Sequence, residues 1–432
     1  MSGDSSRAQT AQRVLMVAYH FPPLAGSSGI QRTLRFVQHL PAFGWQPIVL
    51  SASPRAYERT STDLDAEVPA GTIVQRAFAL DTARHLALKG RYIGAMARPD
   101  RWASWKYDAI RQGLQMIRKH RPAVIWSTYP IATAHVIGAE LHRRTGIPWI
   151  ADFRDPMAQD GYPADPLTWA QYQAIEQGAL ENAALSVFTT PGAARVYRER
   201  YPACAGRVDV IENGFDEESF AGVEGRGAAR PTAAAGPIVL LHSGIIYPEE
   251  RDPTHLIEAL KLLVDAGRLK PGQLLVRFRA PVHDALLRDL AAAAGVSAFV
   301  ETCPPIPYQA ALAEMLAADA LLVIQASSCN EQIPAKIYEY LRAGRPILCL
   351  SDPLGDTIGV MRRAGLDSSA SLASVSEIAQ LLQRLLDGSL TNQLPDPAQV
   401  GASSRKGRTA ALAAQLRRVV DEHAAAVSGT SP

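Results

Sequence analysis

Residues 331–346 read EQIPAKIYEYLRAGRP, a stretch in which two carboxylates, Glu331 and Glu339, bracket a proline and a lysine. Pro334 fits the first turn of a helix, where a missing N–H costs nothing. Ile337, Tyr340 and Leu341 then recur at helical spacing, and Gly344 with Pro346 stops the helix ahead of the apolar run 347–350. The unit reads loop, helix, turn, buried strand, with Glu331 ahead of the helix and Glu339 inside it. Lys336 falls in the first turn, where a cation opposes the positive end of the helix dipole. Either this is a surface helix start that tolerates a lysine, or an anion shared by Lys336 and the free N–H groups removes the conflict.

The same alternation runs through the chain on both sides. Short apolar runs of buried-strand type occupy residues 14–18, 47–50, 73–79, 124–126, 149–151, 185–189 and 208–211, and again 238–241, 274–278, 298–301 and 321–324. Helical patterns follow many of them, at 105–118, 131–144, 253–264, 283–293 and 309–317, with a last amphipathic stretch at 408–420. Repeated β-α-β units predict parallel sheets covered on both faces, with functional groups at the C-terminal ends of the strands. At 432 residues the chain exceeds one comfortable core, so two such sheets are expected. The small, weakly patterned segment 221–236, AGVEGRGAARPTAAAG, reads as the linker between them.

Composition excludes several classes of function. With 44 basic and 42 acidic residues the net charge is only +2, which gives no global attraction to nucleic acid or to an anionic membrane. The four cysteines, Cys204, Cys303, Cys329 and Cys349, form no C-x-x-C, so neither a disulfide framework nor a zinc site is expected and a reducing cytosol fits. The N-terminal segment is polar, and the apolar run after it is cut by Pro22 and Pro23, unlike a secretory signal. Residues 122–139 carry no charge but include Ser127, Thr128, Pro130 and His135, and read as strand, turn and helix instead of a membrane span. The one D-x-D, Asp63-Leu64-Asp65, lies in a polar stretch away from any strand end and reads as a solvated loop, not a metal clamp.

Four further loops fall at predicted strand ends. The first, FPPLAGSSGIQR at 21–32, carries Ser28 and Gly29 at a helix start, where backbone N–H groups make an anion cradle or merely reverse the chain. The second, ADFRDP at 151–156, crowds Asp152, Arg154 and Asp155 just past a buried strand, which is costly unless the charges pair internally or face a cleft. The third, at 213–216, is an Asn-Gly turn with positive φ available. In the fourth, His242-Ser243-Gly244 is followed by Arg251 just before a helix, either paired with Glu249 or Glu250 or offering forked donors to a diphosphate.

These motifs, in this order from FPPLAG to EYLRAGRP, resemble those of family 4 retaining glycosyltransferases of the bacterial surface-polysaccharide type. The resemblance implies the GT-B fold: two doubly wound Rossmann-like α/β domains facing across a cleft. It implies an acceptor-binding domain over 13–220, the linker 221–236, a nucleotide-sugar-binding domain over 237–400, and a C-terminal helix at 401–428 packing back on the first domain. The activity implied is transfer of a hexose from a UDP- or GDP-sugar, with retention, to a hydroxyl of a lipid-linked or small glycan acceptor. Carried over, Glu331 faces the sugar and Glu339 grips the ribose hydroxyls. Arg251 and Lys336 neutralise the leaving diphosphate, with Gly29, Gly244, Gln332 and Ile333 completing donor binding. Asp152, Arg154 and Ser28 lie on the acceptor side, and Asp155 joins the catalytic set.

The expected cofactor list is empty, with no metal, since cations and N–H groups stabilise the leaving charge. The expected setting is cytoplasmic, with possible peripheral membrane contact. The chain departs from the family at Arg154-Asp155, where many relatives have His-Asp, and at Ile245, where a cation is usual. Those departures keep a non-catalytic nucleotide-binding subunit open beside a sugar-nucleotide 2-epimerase. A nicotinamide dehydrogenase is disfavoured, because no G-x-G-x-x-G follows either first strand.

Overall fold

The computed structural model describes residues 11–27, 29–224 and 236–429. Ser28 and residues 225–235 of the expected linker lie outside the described residues. The chain divides into two compact units, one ending at Glu212 but rejoined from Lys406 onward, the other spanning Asn213–Arg405.

In the first unit seven strands form one parallel sheet: β1 (Gln12–Val17), β2 (Trp45–Ala52), β3 (Ile73–Ala77), β4 (Val124–Thr128), β5 (Trp149–Phe153), β6 (Leu185–Phe188) and β7 (Val208–Val210). Their order is β3-β2-β1-β4-β5-β6-β7, with Val14 in register with Pro47 on one side and Val124 on the other. A parallel strand covered on both faces needs a continuous apolar run, and Val14–Val17, Val124–Trp126 and Trp149–Ala151 supply one, each residue almost fully buried. The second unit repeats the plan with β8 (Ile238–Ser243), β9 (Leu274–Arg279), β10 (Val300–Cys303), β11 (Ala320–Ile324), β12 (Ile347–Leu350) and β13 (Ser369–Ala370), ordered β10-β9-β8-β11-β12-β13 and parallel throughout. In both sheets the strand order reverses beside the first strand, at β1/β4 and at β8/β11, where doubly wound sheets open a crevice for ligands.

The unit boundaries follow from packing. Residues 213–224 join the second unit, earlier than the expected boundary at 220, because Phe215, Phe220 and Val223 are core residues there. Arg342 clamps the helix Glu217–Glu224 from the same unit, pairing with Glu217 at 2.6 Å and Glu224 at 3.0 Å, and lies over the Phe220 ring. Gly214 does not take the positive φ its Asn-Gly sequence allows. It is required for a different reason, since a Cβ there would sit 2.4 Å from the Ser403 carbonyl oxygen. The last helix, Arg405–Ser428, lies within the expected 401–428, extends beyond the amphipathic stretch 408–420 at both ends, and gives Leu412, Ala413, Leu416 and Val419 to the core of the first unit.

Charge at the ends of the first sheet is settled internally. Arg32, 5 % exposed, forms a forked pair with Asp152, 1 % exposed, at 2.7–3.2 Å. The same guanidinium donates to the carbonyls of Ile211 and Glu212, and Thr128 donates to the second carboxylate oxygen at 2.8 Å. This cluster ties the helix Gly29–His39 to the ends of β4 and β5 and to the chain leaving β7. Replacing Arg32 by Ala strands a buried carboxylate and is expected to cost about 3–5 kcal/mol of stability in urea unfolding. Leu416→Ala opens a cavity in the same core and is expected to cost about 2–5 kcal/mol; a loss below 1 kcal/mol would contradict the placement of the last helix.

Candidate functional site

At the β8/β11 crevice of the second unit, four predicted donor residues come together. β8 ends in His242-Ser243 and continues into Gly244, whose φ of 120° only glycine adopts readily. A Cβ on Gly244 would stand 3.0 Å from the Lys336 Nζ. The helix Lys336–Ala343 begins with that lysine and has no side-chain cap; the N–H groups of Ile337 and Tyr338 turn back to the Pro334 and Ala335 carbonyls. Pro334, expected in the first turn, sits one residue ahead of the N-cap, and its carbonyl accepts from the Ile337 N–H at 3.0 Å instead. Arg251 pairs with neither Glu249 nor Glu250; it donates to the Ile245 carbonyl at 2.7 Å and lies over the Tyr247 ring at 5.0 Å. Among the described residues neither Lys336 nor Arg251 has a carboxylate within ion-pair distance. Burial, and then the Arg251 charge, pull the Lys336 amine down to about 7.

Glu339 lies one turn along from Lys336. Burial raises its carboxyl above the usual range, while a 2.8 Å hydrogen bond from the Tyr308 hydroxyl to Oε1 opposes the shift. Oε2 makes no hydrogen bond to the described residues and is open to a ligand hydroxyl. Glu331 and Gln332 are exposed on the loop after β11. Gln325, absent from the sequence expectations, positions that loop: its side-chain amide donates to the Cys329 and Gln332 carbonyls at 2.6 and 2.9 Å, and Thr357 donates back to it. Ile333 is half-buried and packs against the core of the second unit.

In the first unit the structure brings Gly29, Arg154 and His20 together. The Arg154 guanidinium donates to the Gly29 carbonyl at 3.0 Å, and a Cβ on Gly29 would fall 2.2 Å from the His20 Nδ1. Glycine is therefore required by close approach. Burial lowers the Arg154 guanidinium and holds the His20 imidazole down to about 4, with the Arg154 charge adding to it, so His20 is neutral. Its Nδ1 and the Arg154 Nε have no hydrogen-bond partner. His20 was not among the predicted site residues, although it directly follows the strand end at YHFPP. Asp155 is exposed beside this group, and Ser28 lies outside the described residues. Asp152, expected on the acceptor side, is consumed by Arg32 and Thr128 and has no room for an acceptor. The loop's ion pair is thus made across to Arg32 and not within ADFRDP.

A cavity of about 670 Å³ lies on the same unit, lined among others by Ile110, Ala139, Trp149 and Ile175, and contains none of these residues. Among the described residues no cluster of His, Cys, Asp and Glu could hold a metal ion, and no helix is long and apolar enough to cross a membrane.

Comparison with known proteins places this geometry. Residues 28–214 match the family described as "Glycosyl transferase 4-like domain". No curated protein matches the sequence. Among solved structures the chain is similar to an α,α-trehalose 6-phosphate synthase from Burkholderia multivorans, with TM-score 0.60 and 12% identity over 98% of this chain and 99% of that one. The lipopolysaccharide outer core galactosyltransferase WaaB gives TM-score 0.59 and 11% identity over 94% and 100%. The N-terminal domain of trehalose-6-phosphate phosphatase from Candida albicans gives TM-score 0.63 and 12% identity over 94% and 97%. At such identities the likeness is one of fold. Residues 28–214 thus carry a glycosyl transferase 4-like domain, and with its two parallel α/β units the chain is a glycosyltransferase of the GT-B fold.

Proposed function

We propose that this glycosyltransferase moves a hexose from a UDP- or GDP-sugar to an acceptor hydroxyl with retention at the anomeric carbon, in polysaccharide or glycolipid assembly. The observation that carries this reading is the pair of cations, Lys336 and Arg251, standing without a carboxylate partner at the strand-end crevice of the second unit. Two buried or half-buried positive groups with no counter-ion are costly unless a ligand brings negative charge. A diphosphate does so.

In the reaction, the bond from the anomeric carbon to the phosphate oxygen breaks and its electron pair leaves with the diphosphate. Arg251 and Lys336 stabilise that charge, which is greatest in the transition state. The acceptor oxygen attacks from the same face, and its proton passes to the departing phosphate. Glu331 faces the oxocarbenium-like sugar, and Oε2 of Glu339 accepts from the ribose. On the first unit, Arg154, Asp155 and neutral His20 serve the acceptor. The protein's own cations take the part of a metal, so the reaction is metal-independent. A cytoplasmic enzyme with peripheral membrane contact suits a lipid-linked acceptor.

Incubation with a panel of UDP- and GDP-sugars, with and without lipid-linked acceptors, tests the reading: nucleotide is released only when an acceptor is present, and EDTA leaves the rate unchanged. An altered donor released without acceptor would instead establish a 2-epimerase, and binding without turnover on any pairing a partner subunit. Lys336→Met and Arg251→Met are each expected to lower kcat by roughly 100-fold or more. Glu339→Ala is expected to weaken nucleotide binding about 10-fold or more in calorimetry with an unchanged circular dichroism spectrum, the loss of one hydrogen bond to a charged group. Unchanged affinity would remove Glu339 from the ribose site.

A further inference from the structure

His242 has no role in the donor site as derived so far, yet it holds the lysine on which that site depends. It is the next-to-last residue of β8 and is fully buried. Its Nδ1 lies 3.0 Å from the Leu322 carbonyl oxygen on the neighbouring strand β11. A carbonyl can only accept, so Nδ1 carries the proton. The other nitrogen, Nε2, lies 3.0 Å from the Lys336 Nζ and, bearing no proton, accepts from the ammonium. Burial first, and then the Lys336 charge, keep the imidazole well below its usual range, so the ring stays neutral and remains an acceptor.

Nζ is therefore wedged between two fixed surfaces, the imidazole edge and the bare Cα of Gly244. The strand end itself is pinned, since the Ser243 N–H donates to the Tyr340 hydroxyl at 2.9 Å from the same helix that carries Lys336. Two charged groups act on the amine besides the imidazole: Arg251, on the segment before the helix Thr254–Asp265, disfavours the ammonium, and Glu339, on the lysine's own helix, favours it. The amine thus sits near its midpoint at neutral pH in the empty site, and a diphosphate between Lys336 and Arg251 shifts it to the charged form.

We propose that His242 is a positioning residue of the donor site: its unprotonated nitrogen holds the Lys336 amine beside Gly244 and favours its charged form, and nucleotide-sugar binding takes up a proton there, a fraction of one at neutral pH and close to one well above it. This rests on the donor reading given above. The proton comes from solvent and no bond to carbon or phosphorus changes.

Calorimetric titration with UDP-glucose and GDP-mannose, whose diesterified phosphates do not titrate between pH 6 and 9, tests it in buffers of different ionisation enthalpy. Wild-type affinity is expected to be level below about pH 7 and to fall towards tenfold per pH unit above it, with proton uptake on binding. His242→Phe keeps a ring but offers no acceptor, and is expected to move the midpoint down by about one pH unit. His242→Gln, whose amide can donate to Leu322 and accept from Lys336, is expected to restore it. A uniform loss of affinity with an unmoved midpoint, or wild-type binding without proton uptake, would reduce His242 to packing and overturn the proposal. Wild-type protein that binds neither probe at pH 6 would defeat the donor reading itself, a result distinct from both. Because proton uptake is read on the wild type, the test stands even if the Phe variant fails to fold.

Discussion

A central strand of a parallel sheet is covered on both faces, so charge beside it collects at the strand ends. The central strands β4, β5, β8 and β11 of this glycosyltransferase obey that constraint, and the two units resolve it in opposite ways. At the ends of β4 and β5 the first unit cancels charge: Asp152 is gripped by Arg32, which also satisfies two carbonyls after β7. At the ends of β8 and β11 the second unit leaves charge uncancelled: Arg251 is held by a carbonyl and a ring, and Lys336 by an imidazole. A carbonyl or a neutral imidazole orients a cation without neutralising it. The first arrangement stabilises a fold, whereas the second preserves electrostatic free energy for whatever anion arrives.

Much of this was legible in the sequence because a buried strand needs an unbroken apolar run. The run at 347–350 is the strand β12 to the residue, and all eleven of the other expected strands fall within two residues of their observed ends. The third expected strand, 73–79, likewise begins correctly and ends at Ala77. What escaped was signalled by caps, not by periodicity. The helix Pro166–Asn182 has no apolar stripe to read, yet Asp165 caps it by accepting from the Thr168 N–H, with Pro166 in the first position. The helix Val375–Leu386 opens on Ser374-x-x-Glu377, the spacing of a capping box, and Ser374 accepts from the Glu377 N–H. The two-residue strand β13 is too short for any pattern to mark.

The site divides along a similar line. Lys336 and Arg251 could be named in advance as cations at helix starts, whereas Gly244 and Glu339 were pointed to by the resemblance of the motifs that contain them. Residues that obey their local surroundings stayed hidden. His242 reads as one more member of the strand IVLLHS, Gln325 as the polar residue that ends β11, and Asp152 as a loop charge. Only the three-dimensional pairing shows that His242 meets a lysine 94 positions away and Asp152 an arginine 120 positions away. A single sequence records which residues are uncomfortable where they are; it does not record which distant partner relieves them.

That asymmetry bears on how the donor site is maintained. A lysine at a helix N-terminus, beside an arginine and with burial against it, has every local reason to shed its proton or swing into water. Leu322 opposes the first outcome indirectly, because its carbonyl occupies the one imidazole proton and so turns the lone pair of Nε2 toward Nζ. Gly244 bears on the second, because the backbone there approaches so closely that a Cβ would press against Nζ. The amine is thus kept in place, ready to be charged, by three groups that carry no charge themselves: a carbonyl, a neutral ring and a missing side chain. None of them competes with an incoming phosphate for the lysine, as a carboxylate would, so the interaction with the donor need not first break an ion pair.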